Sequence, residues 1–200
     1  KEKFGQEEVR TMAAPFGDGG WSDIAKDYFF LNRGVNNGFI APLGNSNPFN
    51  LPAKMAAGGE TADDINKDLD SAYNRGSWII YCFHSILPTT ANWYAGVELD
   101  SITQSIEHTK SLKDMWVDTM ANIGAYWIGQ KVVSSVTPKI SDGKTVWTWT
   151  LPKNFPSNKY LRITVDGGRL TQRGRELTWS DHGYYEISLD KGELTLSPNE

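Results

Sequence analysis

Ser77-Trp78-Ile79-Ile80-Tyr81-Cys82-Phe83-His84-Ser85-Ile86 is the run whose reading decides the fold. From Trp78 to Cys82 only the tyrosine hydroxyl is polar, so the run cannot be one solvated face of an amphipathic strand. It reads as a strand buried on both sides, the kind found in the parallel sheet of an α/β fold. His84 stands where that strand runs out. In barrels and in open α/β sheets, ligands bind and catalytic side chains sit at the carboxyl ends of the strands. His84 is therefore the first candidate for chemistry, against the alternative of a core histidine whose ring nitrogens are satisfied by neighbours.

Upstream of this run, strand and helix alternate. Val9 to Ala14 reads as a short strand that stops at the glycine-rich loop Pro15-Phe16-Gly17-Asp18-Gly19-Gly20. No Lys-Ser/Thr follows, so the loop fails as a phosphate cradle. A helical piece over Trp21–Asp27 leads to a strand at Tyr28–Leu31, and Arg33 follows at its carboxyl end, either reaching into a site or exposed on a loop. Residues 39–59 are punctuated by Pro42, Gly44, Pro48 and Pro52, and a loop of that length usually covers or lines something. Thr61-Ala62-Asp63-Asp64 opens a helix as N-cap and capping box, with Ile65, Leu69, Ala72 and Tyr73 on one face and Gly76 at its end.

Downstream of His84, a loop presents Trp93 and Tyr94. A helix follows with Leu99, Ile102 and Ile106 at helical spacing, then a strand at Met115–Thr119 and a last helix from Met120 to about Lys131. At Val132 the pattern changes to short β-branched or aromatic runs separated by Asp142-Gly143, Asp166-Gly167-Gly168, His182-Gly183 and Lys191-Gly192. Such runs without helical stretches indicate a small antiparallel sandwich. Two domains are expected, 1–131 and 132–200.

Composition narrows the classes. A formal charge of −4 with no basic run argues against a nucleic-acid surface, and no apolar segment approaches the length of a membrane span. The single cysteine, Cys82, excludes a disulfide framework and a thiolate metal cluster within the chain. His84, His108 and His182 are far apart in sequence and show no metal-ligand spacing; His108 and His182 read as solvated. Cys82 and His84, two apart on a strand, share a face as a nucleophile pair would, but a buried cysteine is usually inert. Ser85 beside His84 is a poorer nucleophile candidate, because adjacent residues on an extended chain face opposite ways. Trp147 and Trp149 alternate with threonines and face one way, suiting core packing better than a sugar-stacking platform. Lys1 to Glu8 reads as a charged helix end closed by Gly5 and entered in mid-element, so further sequence is expected upstream.

Three segments taken together carry a resemblance. Thr11-Met12-Ala13-Ala14-Pro15-Phe16-Gly17, then Leu31-Asn32-Arg33-Gly34-Val35-Asn36-Asn37-Gly38, then Gly76-Ser77-Trp78-Ile79-Ile80-Tyr81-Cys82-Phe83-His84 resemble, in order and spacing, the carboxyl half of a polysaccharide deacetylase, the NodB-homology domain of carbohydrate esterase family 4. The resemblance covers about residues 4 to 131. It implies part of a distorted (β/α) barrel, followed here by the sandwich as an accessory domain, and removal of N- or O-acetyl groups from an acetylated polysaccharide or oligosaccharide. It implies a divalent metal, usually zinc, held by an Asp and two His, with a further Asp as base and a His as general acid. His84 matches the acid. Pro15 and Phe16 match the motif lining the site, Trp93 falls in an aromatic wall, and the arginine that often opens that motif is matched by Ala13, leaving Arg33 to supply positive charge.

The family's Thr-Phe-Asp-Asp and His-x-x-x-His motifs do not occur. Thr61-Ala62-Asp63-Asp64 imitates the first but follows Gly58-Gly59-Glu60 rather than a hydrophobic strand. Base and metal ligands are thus expected outside this chain, from an upstream segment or an amino-terminal fragment, in a secreted or periplasmic protein. The rival reading is a glycan-binding or structural module without turnover, using Trp147 and Trp149 or the barrel loops.

Overall fold

Thr11–Ala13 (β1) is tied by α1 (Ser22–Tyr28) to Leu31–Arg33 (β2), and the two strands pair in parallel, Thr11 against Leu31 and Ala13 against Arg33. The chain is seen here in a computed structural model that describes residues 9–88 and 94–198; Trp93 lies outside them. Parallel pairing continues through Arg33 to Leu51, where the Gly34 N–H donates to the Leu51 carbonyl at 2.8 Å. It passes from β3 (Lys54–Met55) across α2 (Ala62–Asn74) to β4 (Tyr81–Cys82), with Lys54 opposite Tyr81. β5 (Ser85–Leu87) and β6 (Gly96–Glu98) form a further parallel pair, and α3 (Leu99–Ser111) follows. Short parallel pairs joined by helices make an α/β arrangement of small sheets; no closed barrel forms among the described residues.

The doubly buried strand expected from the continuous apolar run around Tyr81 is only half realised. Trp78 bridges Ile40, Tyr81 and Cys82 form a ladder, and His84 sits in a bend before β5. Trp78 to Phe83 are part-buried, not sealed. The reason lies in the side chains. Phe83 packs with Ala56, Ile65 and Val97 and Tyr81 reaches α2, whereas Cys82 meets the polar Arg33. One face is apolar and the other is not.

Two further expectations are corrected, and the helix expected through Leu99, Ile102 and Ile106 is present as α3. The second strand starts at Leu31, since Tyr28 completes the last turn of α1. Met115–Thr119 forms no strand: Asp118 accepts from the Trp116 indole N–H at 3.3 Å and the Thr119 N–H at 2.6 Å, local bonds that compete with a ladder. Leu99 and Ile106 stand exposed on α3, because the close approach to α2 is made by the buried Ser105, whose hydroxyl lies 3.0 Å from the Ser101 carbonyl and 3.5 Å from that of Ala62. A larger residue would not fit where a hydroxyl reaches the neighbouring backbone.

The chain divides into compact units 1–120 and 121–200. The second begins with α4 (Met120–Ser134), then β7 (Lys139–Ser141), β8 (Lys144–Thr148), β9 (Tyr160–Ile163), β10 (Arg169–Gln172), β11 (Arg175–Glu176), β12 (Tyr185–Ser188) and β13 (Glu193–Ser197). The strands form an antiparallel sheet of order β11-β10-β13-β8-β7 and a pair β12-β9. The β7–β8 turn puts Asp142 and Gly143 at φ 51° and 72°, both left-handed, as a tight hairpin needs. Trp149, Leu161, Leu170, Ile187, Leu189 and Leu194 form the core, and Gln172 ties the two sheets by donating to the Ser188 and Glu193 carbonyls at 3.0 and 2.9 Å. The division precedes residue 132 because Tyr126, Val132 and Val133 of α4 pack on this core.

Candidate active site

Alternation along β4 sorts the chemistry. Tyr81 and Phe83 face α2, their rings stacked 5.4 Å apart, and the Tyr81 hydroxyl donates to Asp68 at 2.8 Å. Cys82 faces the other way, and its sulfur accepts from Arg33 Nη2 at 3.4 Å, while Arg33 Nη1 donates to its neighbour's carbonyl, Gly34 O, at 3.3 Å. His84 is exposed, and its ring meets that of Tyr94 nearly at right angles, centroids 4.8 Å apart. The imidazole is thus neither a core group nor hidden from a ligand.

Pro15 and Phe16 follow β1, Arg33 ends β2, and His84 follows β4. Because β1 and β2, and likewise β3 and β4, run parallel, each of these residues stands at a carboxyl end. Phe16 is fully exposed and held at φ 54°, an uncommon conformation for a bulky residue, by a tight turn in which the Gly17 N–H donates to Ala14 O at 3.0 Å. Arg33 and Cys82 are brought into contact; Pro15, Phe16 and His84 stand at the ends of different strands.

Trp149 is buried, its indole N–H donating to the Leu189 carbonyl at 2.8 Å, and Trp147 packs beside it. The tryptophan pair is core, not a sugar platform. His182 is exposed as expected, but His108 is not simply solvated: its Nε2 lies 2.7 Å from Asp70, linking α3 to α2. Thr61 and Asp64 form the expected capping box. Among the described residues no group of three or more His, Cys, Asp or Glu could hold a metal ion, so these side chains do not fit the zinc site that the resemblance implies.

One cluster escaped sequence reading. Lys54 Nζ lies 2.9 Å from Asp68 and 3.7 Å from Glu60, and Asp68 also accepts from Tyr81. Burial, reinforced by the Asp68 carboxylate, pushes the Tyr81 phenol well above its ordinary range. The hydrogen bond to Asp68 raises Lys54, with burial opposing. The cluster borders an open cleft of about 430 Å³ with Gly58, Gly59 and Asp64 on its wall. Lys54 and Tyr81 both bond Asp68 of α2, so the arrangement is a brace between α2 and the β3–β4 pair. Only strand register brings Lys54 to Tyr81, which no local pattern announces.

No protein-family model, curated protein or solved structure matches this chain.

Proposed function

We propose that this chain is the carboxyl-terminal part of a secreted or periplasmic polysaccharide deacetylase, a distorted (β/α) barrel portion with an accessory β-sandwich, acting on an acetylated polysaccharide or oligosaccharide. His84 is the general acid. The observation that carries the reading is an exposed imidazole at the bend that follows β4, with Tyr94 against its ring. A proton donor must reach the departing group, and a ring in that position meets substrate from solvent. The perpendicular tyrosine limits how far the imidazole can turn.

The supporting placement is that of Pro15 and Phe16 after β1 and Arg33 at the end of β2, matching His84 after β4. An exposed aromatic ring and a guanidinium at strand ends suit a sugar, which offers C–H faces and hydroxyls together. Metal ligands and base are assigned to an upstream segment, so no step here runs through the metal; a bound divalent ion would activate the attacking water. Exposed apolar side chains on α1 (Ile24, Tyr28) and α3 (Leu99, Ile106) offer surface that such a segment would cover.

The test is turnover of an acetylated chito-oligosaccharide by the polypeptide carrying that upstream segment. His84→Ala should lower kcat by about 10²–10⁴-fold, the range for loss of a general acid, with substrate binding retained. Unchanged turnover would refute the assignment.

A further inference from the structure

The outward face of the β9–β12 pair has no part in the chemistry above. Leu161 and Ile187 point into the core, so alternation turns Tyr160, Arg162, Glu186 and Ser188 outward, and register sets Arg162 opposite Glu186 and Tyr160 opposite Ser188. Tyr184, two residues before Glu186, extends the same face. Tyr160 is 52% exposed. The Arg162 guanidinium lies 4.6 Å over the Tyr184 ring, with its Nε 3.9 Å from Glu186. The His182 ring stacks on Tyr184 at 6.3 Å, only 19° from parallel.

The turn behind these rings is fixed by hydrogen bonds. The Ser180 N–H donates to Tyr184 O at 2.8 Å, Gly183 N–H to Ser180 O at 2.9 Å, and His182 N–H to Ser180 Oγ at 3.2 Å. The Arg162–Tyr184–His182 stack is therefore pre-set at one end of the face, and Tyr160 stands on the same face at the other. Four strand positions separate the ends, roughly 13 Å.

The chemistry of the face selects its occupant. Arg162 and Glu186 pair with each other, so the two together present no net charge to phosphate or an acidic polymer. Apolar area is interrupted at every second position by a guanidinium, carboxylate or hydroxyl, unlike the continuous apolar centre of a protein interface. Flat faces alternating with exposed groups that keep hydrogen-bonding capacity match a ligand whose C–H faces alternate with hydroxyls. We propose that this face binds an extended, uncharged oligosaccharide, with Tyr160 and the Arg162–Tyr184 stack as its two platforms. The site belongs to the second unit and does not depend on the barrel reading.

Titration calorimetry of the full chain with hexamers of N-acetylglucosamine, glucose and xylose tests it. Saturable binding of at least one hexamer is expected, weakened tenfold or more in Tyr160→Ala and in Arg162→Ala, both exposed positions where folding tolerates the change. Trp179→Ala should leave it unchanged, since that ring meets Tyr185 on the other side of the hairpin. The proposal is overturned if none of the three hexamers binds, if binding survives both substitutions, or if Tyr160→Ala alters sedimentation instead, which would make the face a contact between copies. Turnover plays no part in this readout, so its failure leaves the His84 assignment untouched.

Discussion

At the scale of single residues, Tyr81 carries the clearest electrostatic consequence. Its phenol is raised above the ordinary 10.0 chiefly by burial, with the Asp68 carboxylate adding to it, and Lys54 is raised above 10.5 chiefly by its hydrogen bond to Asp68. A group whose folded pKa is raised contributes stability that is whole below its unfolded value and falls away as pH climbs past it. The first unit should therefore hold its stability up to about pH 10 and lose it progressively above. Tyr81→Phe should flatten that alkaline decline while costing about 1.5–3 kcal/mol at neutral pH for the lost hydrogen bond to a carboxylate, both read from urea unfolding between pH 7 and 11. Gly17 makes a steric prediction of the same reach. At φ +69°, a Cβ there would sit 2.4 Å from Val35 Cγ2, so Gly17→Ala should cost about 1–3 kcal/mol in overpacking, with backbone strain added. The position of His84 was legible because a hydrophobic run ends there. The Arg33–Cys82 contact was not, since it joins residues 49 apart through strand register alone.

Elements were legible where their signals are local. The Thr61 hydroxyl takes the Asp64 N–H and the Asp64 carboxylate returns to the Thr61 N–H, all within one turn, so four residues of sequence suffice to predict the start of α2. Thr61→Ala should lower stability by about 1 kcal/mol in thermal or denaturant unfolding. Hydrogen bonds from Thr61 also hold the Asp64 carboxyl below its ordinary 3.8. A depressed folded pKa gives stability that is present above the unfolded value and vanishes as pH falls through the folded one. The cap's contribution should thus fade below about pH 4, and the acid limb of Thr61→Ala should be shallower than that of the parent chain. Where elements depend on distant partners, sequence misled. Met115–Thr119 has strand composition, but Asp118 binds its own neighbours; Leu99 and Ile106 have helical spacing, but the small Ser105 makes the approach to α2. Propensity and spacing say which face is apolar, not which face meets a neighbour.

At the scale of the molecule, each unit closes a core of its own, and that has a measurable result. In the second unit Ile187 and Leu189 are fully buried among Trp149, Leu161, Leu170 and Leu194, with Gln172 bonded to both sheets around them. Removing the Ile187 side chain beyond Cβ leaves a void that this bonded frame resists collapsing into, so Ile187→Ala should cost about 2–5 kcal/mol. In the first unit the residues that close the structure are different ones, Leu31, Ile40 and Leu51, all fully buried, with the Leu51 N–H donating to the Asn32 carbonyl and Ile40 exchanging backbone bonds with Trp78. Amide exchange in Ile187→Ala should therefore quicken at Leu170, Thr171 and Leu194, where the antiparallel ladder depends on the damaged core. Exchange at Leu51 and Gly34, whose N–H groups serve the parallel array, should keep its original rate. If those two amides quicken in step with Leu170, the chain unfolds as one cooperative body and the two cores are energetically a single structure.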